Sequence, residues 1–450
     1  MRTIQKMPIA LLALLGIILP SISVAENLVD AFQLSLANDP DLKAAKFAKI
    51  AEQEARPQAM AKLFPTIKIS SHAGKATQDV RKTWTTTDDD NDGINDDLGL
   101  TVYNEANLSL NLKQPIFNMT HLRNLKVSNI KLIQAELKYR IAQQDLLMRV
   151  AERYFGVLSA SDSLAFARAE KNAIARQLQQ TKNRFQVGLT AVTDVHESQA
   201  RHDLAVAHEI KAETALANQK EALRRITGKL KGNLMTLKDD TPLIPPSPTS
   251  MKDWTEAAKG SNLEIAEIKL QADILRLEMD VIRAGNYPTL DFKVFYGYNE
   301  YGGAYQQKTL DGLASLELNM TIFEGNLSSS KIKQKRNRFE ETLQLIEAKE
   351  REVSQQTRNA YLGVLAGMSY VKALSQALKS SSQALQSTTA GFEVSTRTAV
   401  EVLNAQQDLF RSQRDYALAR YEYILNMFKL KIAVGLLSID DLEQINNWLH

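Results

Sequence analysis

The chain has 450 residues, of which 44% are hydrophobic and 24% charged, and its net charge at neutral pH is only +3. So small a charge gives no electrostatic case for a nucleic-acid partner. It contains no cysteine, which excludes disulfides, thiolate chemistry, cysteine metal sites and a cysteine-linked lipid anchor.

Residues 1–25 read as an export signal: Arg2 and Lys6 give a positive start, residues 9–19 an apolar run, and Ser23-Val24-Ala25 a cleavage site before Glu26. The run is short for a spanning helix, which needs about 20 residues. No later stretch is long and apolar enough to cross a membrane as a helix. The exported protein is therefore soluble, or it enters a membrane as strands.

Residues 26–63 read as a helix punctuated at Asn38-Asp39-Pro40, where Asn38 or Asp39 can cap a new start and Pro40 suits a first helical position. From Thr66 the period changes to two, with strands over residues 66–82 and 100–116. In the second, Val102, Asn104, Ala106, Leu108, Leu110 and Leu112 share one face. Residues 118–184 contain almost nothing that breaks a helix, a length of about 100 Å at 1.5 Å per residue. A second helix returns over residues 191–227. Residues 231–255, with Pro242, Pro245, Pro246 and Pro248, read as a linker.

The pattern then repeats over residues 256–436. A helix leads to strands 289–300 and 309–322, a long helix 327–389 and a shorter one 399–434, before a polar-leaning tail at 437–450. In the third strand Leu290, Phe292, Val294, Tyr296 and Tyr298 share a face; in the fourth Leu310, Gly312, Ala314, Leu316, Leu318, Met320 and Ile322 do. Residues 26–230 are thus a first repeat. FQVGLTAVTDVHESQARHDL from Phe185 is echoed by FEVSTRTAVEVLNAQQDLFR from Phe392, and Tyr154-Phe155-Gly156-Val157-Leu158 by Tyr361-Leu362-Gly363-Val364-Leu365, each 207 residues on. Pro288 follows Pro65 by 223 residues but Phe323 follows Phe117 by 206, so the second strand pair is shorter by 17.

Four strands of alternating polarity beside helices too long to cover a soluble sheet read as a share of a membrane β-barrel. Four cannot close one, so the chain must oligomerise: two copies give eight strands, three give twelve. Periodicity does not choose between them. A structural or adhesive extracytoplasmic coiled-coil protein is the competing reading; it leaves the four strands unexplained. No nucleotide loop or catalytic carboxylate pair is present, and His196, His202 and His208 lie at spacings of six that share no helix face, so an enzyme is not expected.

The two inter-helix turns, the Pro65 and Pro288 junctions, the Gln114-Pro-Ile-Phe117 and Met320-Thr-Ile-Phe323 exits and the duplication resemble the TolC family of outer-membrane efflux and secretion channels over residues 26–436. The resemblance implies a homotrimer sharing a 12-stranded barrel in the outer membrane of a Gram-negative bacterium. Below it would run an α-helical barrel across the periplasm to a periplasmic adaptor and an inner-membrane pump or ABC exporter. The implied activity is passive conduction of small molecules or unfolded proteins, gated at the periplasmic tip and needing no cofactor.

In the family an arginine at the position of Arg397 holds the closed state through the first repeat's turn, where the matching partners are Thr193 and Asp194. The family's second tether is a tyrosine at the position of Phe392, which has no hydroxyl. Glu401 and Asn404 match two inward acidic rings, and Asn404 leaves the second uncharged; three Glu401 carboxylates are expected to raise one another's pKa. Gly188, Leu189, Ser395 and Thr396 fall on the turns that meet the adaptor. Separately, Asp88, Asp90 and Asp92 before Gly93, then Asp96, match the start of a calcium loop, although Gly99 stands where an EF-hand has glutamate.

Overall fold

The computed structural model of the chain describes residues 26–80, 99–228, 232–238, 240–302, 307–394 and 396–450. The export signal, the acidic loop with Asp88, Asp90, Asp92 and Asp96, and Ser395 lie outside them.

The entry helix is three helices rather than one: α1 (Leu28–Asn38), α2 (Pro40–Gln53) and α3 (Ala55–Ala61). Asn27 and Asp30 form a capping box at the start of α1. Asp39 turns the chain out of the helix and accepts the Leu42 N–H at 2.7 Å to begin α2. The second break falls at Glu54, three residues before Pro57; proline cannot donate to the carbonyl four residues back, here that of Gln53.

Four strands follow the two proline junctions: β1 (Thr66–Val80), β2 (Gly99–Phe117), β3 (Thr289–Tyr301) and β4 (Gln307–Asn319). They form one antiparallel sheet in the order β1-β2-β3-β4, so the two halves of the chain meet at the β2–β3 pair. The register puts Ile67, Ile69, Leu110, Leu112, Val294, Tyr296, Leu316 and Leu318 on one face. The opposite face carries Asn107 hydrogen-bonded to Asn299, Lys113 paired with Asp291 at 2.9 Å, and Lys293 paired with Glu317. β4 stops three residues short of the expected end. Its last partner is Thr289, which follows Pro288, and beyond that point Ile322 and Phe323 are 92% and 80% exposed with no strand beside them.

The helices descend from the sheet in two hairpins. α4 (Met119–Gln186) has 68 residues and returns as α5 (Val192–Thr227); α8 (Leu327–Glu393) has 67 and returns as α9 (Ala399–Ala433). Between the hairpins run α6 (Met251–Ser261) and α7 (Leu263–Ala284), and α10 (Ile439–Asn446) ends the fold. α4 packs on α2 and α3 near the sheet and on α5 below, while α8 packs on α7 and then α9.

The predicted linker is shorter than expected and is not a free spacer. Ser250 caps α6, whose first residue, Met251, lies five residues before the predicted helix start, and Asn262 separates α6 from α7 by capping the latter through the Glu264 and Ile265 N–H groups. Three tyrosines hold the intervening segment against the helices. Tyr154 donates to the Met235 carbonyl at 2.9 Å, Tyr361 to that of Thr249, and Tyr423 both donates to and accepts from the Ile244 backbone. The tail is likewise structured: Leu442, Ile445, Trp448 and Leu449 are buried in the core cluster with Leu28, Phe155, Trp254 and Phe428. Leu234 bridges to Glu26, and Leu237 to Leu449. Together these segments form a belt around the middle of the helices, where most of the large apolar side chains are buried.

The two glycines of the echoed motif serve close packing. A Cβ on Gly156 would lie 2.9 Å from the Gln219 side chain on α5, and one on Gly363 would lie 3.2 Å from Asn426 on α9. These contacts are equivalent, since 207 residues separate both Gly156 from Gly363 and Gln219 from Asn426.

Asp39, 1% exposed, also pairs with Arg149 of α4 at 2.9 Å. Burial alone would raise its pKa, but the Arg149 guanidinium and the Leu42 N–H outweigh it and hold the carboxyl below its usual range. A depressed carboxylate stabilises the fold above its ordinary pKa and loses that contribution as pH falls through the folded value. Replacing Asp39 with Ala should cost about 2 kcal/mol at neutral pH, from cap and buried pair together. Denaturation of the purified protein across pH should show the gap between wild type and variant closing below about pH 4.

Candidate functional site

The residues singled out at the hairpin ends lie on two turns built differently. At the first, the Gly188 and Leu189 N–H groups return to the Phe185 and Arg184 carbonyls, both at 2.9 Å, closing the end of α4; Gly188 takes the left-handed conformation, φ 74°, that a side chain disfavours. Thr193 is exposed, and Asp194 accepts a hydrogen bond from Thr190 in the first turn of α5. Phe185, Val187, Leu189 and Val192 are all more than two-fifths exposed, a concentration of apolar surface on one turn.

At the second turn the Thr396 and Arg397 N–H groups both return to the Gly391 carbonyl, at 2.8 and 3.2 Å. A Cβ on Gly391 would stand 2.7 Å from Cγ of Arg397, so the chain folds back here only over a glycine. Thr398 and Glu401 then form a capping box that starts α9. Phe392 is 7% exposed and packs with Leu385, Ala399 and Val402.

Within one chain Arg397 does not reach Thr193 or Asp194. Its Nη1 donates to Glu401 Oε1 at 2.6 Å, one helical turn along α9. A guanidinium takes the nearest well-placed carboxylate, and Glu401 is already fixed by the cap. Glu401 is held by its own chain. Its carboxylate accepts the Thr398 N–H at 2.7 Å and the Arg397 guanidinium, and within one chain these bonds hold its pKa down to about 2. Asn404 is exposed one turn further along α9.

Sequence reasoning missed Arg184. Its guanidinium lies 4.5 Å from the centre of the Phe392 ring, and its Nη1 donates to the Phe392 carbonyl at 3.5 Å. The end of α4 is thereby joined to the end of α8, across the two repeats. The only trace in the sequence is that Arg184 occupies the repeat position of Gly391, so the two turns cannot be alike. Among the described residues no cluster of histidine and carboxylate side chains could hold a metal, and no helix is long and apolar enough to cross a membrane.

Comparison with known proteins places these features in a group. The family described as outer membrane efflux protein matches residues 31–229 and 254–436, one segment in each repeat. Outer membrane protein TolC of Vibrio cholerae is 34% identical over 452 residues, covering 98% of each chain. Alkaline protease secretion protein AprF of Pseudomonas aeruginosa is 28% identical and covers 94% of this chain and 87% of its own. The outer membrane channel CmeC of Campylobacter jejuni superposes with a TM-score of 0.79 at 14% identity, covering 94% of this chain and 90% of that one, a likeness of fold.

The capping box sets a local stability that can be read directly. Replacing Thr398 with Ala should speed amide exchange at Glu401 and Val402 roughly fivefold, as loss of a cap worth about 1 kcal/mol requires. Because the Glu401 pKa is lowered, its part in the cap is present at and above its ordinary value and should persist at pH 4, fading only as pH falls toward 2.

Proposed function

The chain belongs to the outer membrane efflux protein family, the TolC channels, and on that footing we propose that three copies assemble into one gated duct through the outer membrane and down into the periplasm. It is an outer-membrane conduit and not an enzyme.

The sheet carries this reading. In a single chain Ile67, Ile69, Leu316 and Leu318 are each more than 60% exposed on one face, while the other face is laced with amide hydrogen bonds and ion pairs. Such a sheet suits lipid on one side and water on the other. β1 and β4 each have a single partner in the sheet, and unpaired strand edges are not tolerated in hydrocarbon. Three copies joined edge to edge make 12 strands and a lumen wide enough to conduct. The helical hairpins then line a tunnel of about 100 Å, since 68 residues rise 1.5 Å each.

The exposed apolar side chains Val187, Leu189 and Val192, with Val394 on the second turn, form the contact with a periplasmic adaptor, which couples the duct to an inner-membrane pump or exporter. Gly188, Leu189, Ser395 and Thr396 are the turn positions this contact uses. The constriction comprises Thr193, Asp194, Phe392, Arg397, Glu401 and Asn404, with Glu401 as its charged ring and Asn404 as a neutral one. Each Glu401 carries its own Arg397, so mutual repulsion within the ring is offset at source. The acidic loop of Asp88, Asp90, Asp92 and Asp96 is read from sequence alone as an external calcium site; calcium titration of the whole protein showing no binding at millimolar concentration removes that part.

Single-channel conductance of the detergent-purified protein in a planar bilayer tests the duct. Small, stable, cation-preferring steps are expected, with the preference retained at pH 4 and abolished by Glu401→Gln. Arg397→Ala should raise both conductance and cation preference by uncovering Glu401. Absence of steps from folded, inserted wild type and Arg397 variant alike would leave the barrel without a conducting path.

A further inference from the structure

The two hairpin ends of one chain must be held in register if they are to move together, and the contact that spans them is not made by Arg397. We propose that Arg184 and Phe392 form the tether between the two repeats at the tip. The guanidinium carbon lies over the ring, 4.5 Å from its centre, and Nη1 also reaches the Phe392 carbonyl at 3.5 Å, so one side chain contacts both the side chain and the backbone at the end of α8.

Three features of the site favour it. The ring is 7% exposed and fixed by Leu385, Ala399 and Val402, so its face is a rigid platform; cation–π attraction strengthens when the partners are shielded from water. The last carbonyls of a helix carry partial negative charge and lack intrahelical donors, and Phe392 is the penultimate residue of α8. Lastly, the second turn's own arginine is committed to Glu401 and folds over Gly391, which leaves the neighbouring ring face to a cation from the other repeat.

A hydroxyl at position 392 is unnecessary for this link, and the geometry gives the pair its own chemistry. The planar guanidinium can stack and donate at once; a lysine ammonium can be drawn to the ring but has no plane to stack. Arg184 is thus a positioning residue. It sets the relative place of the two turns without itself lining the constriction.

This inference rests on the reading of the tip as the movable end of the duct, and two measurements separate the two claims. One is hydrogen exchange over residues 180–190 and 388–394, which reports the tether alone. The other is single-channel open fraction in a planar bilayer, which reports the gate. Arg184→Ala is expected to raise both the exchange rates and the open fraction about fivefold, the factor that a cation–π contact of ordinary strength supplies. Arg184→Lys should recover part of the effect and Phe392→Tyr, which keeps the ring, should leave exchange at both turns no faster than in wild type, whereas Phe392→Leu should match Arg184→Ala in exchange. The double variant should be no worse than either single one. If Arg184→Ala leaves exchange at both turns unchanged, or if Phe392→Leu and Arg184→Ala add, the tether is overturned whatever the conductance. If exchange rises as expected but no variant, Arg397→Ala included, alters conductance, the tether stands and the gate reading falls. Far-UV circular dichroism and retention of the oligomer on gel filtration identify variants that have lost the fold; for those, Arg184→Lys and Phe392→Tyr decide the matter.

Discussion

Backbone amides at the edge of a sheet must find a partner, and in hydrocarbon the partner cannot be water. That constraint governs this chain. Its sheet has an outward apolar face and two unmatched edges, β1 and β4, so a single copy is an incomplete object in a membrane. Everything below the sheet follows from how the strands are delivered. Proline at positions 65 and 288 stands where the incoming helices give way to strands, and because each strand pair is antiparallel the long α4 and α8 leave from that same end of the sheet. The length of those two helices sets how far from the bilayer the turns stand.

Internal duplication supplies matched parts, and the structure uses the matching selectively. In the belt the copies are equivalent in detail. Tyr154 and Tyr361 both donate to carbonyls of the connecting segment, and Gly156 and Gly363 let their helices approach Gln219 and Asn426. At the tip the equivalence is abandoned. The position that is Arg184 in one repeat is Gly391 in the other, the first keeping a cation to reach across and the second making room for a tighter fold. Phe185 is 43% exposed while its counterpart Phe392 is 7% exposed. Symmetry is kept where the two halves bear the same load and is lost where they face one another.

Strands and long helices were legible because each is a local, periodic pattern: alternation over β2 and β3, and an unbroken run through α4. The break at Pro40 was legible from its cap, and that at Pro57 was equally available. The tail also carried a signal that went unread: Ser438 and Asp441 form a capping box, followed by Leu442, Ile445, Trp448 and Leu449 at core spacings. The ordering of the connecting segment was not legible, since its prolines describe an extended chain but not the tyrosines, far away in sequence, that hold it. At the site, the turn positions could be found from the repeat and their roles from family resemblance. The pairings could not. Arg397 met Glu401 because of the cap geometry, and Arg184 met Phe392 because α4 and α8 converge, neither of which is a property of spacing.

The belt has a consequence for the order in which this protein can be made. Glu26, Leu234 and Leu237 are joined by bridges to one another or to Leu449, and His450 exchanges backbone hydrogen bonds with Thr236. The segments around residues 26, 234–237 and 449–450 therefore meet at a single level. The middle of the molecule stays unfastened until residues 449 and 450 have arrived, so this short segment acts as a latch on the other two.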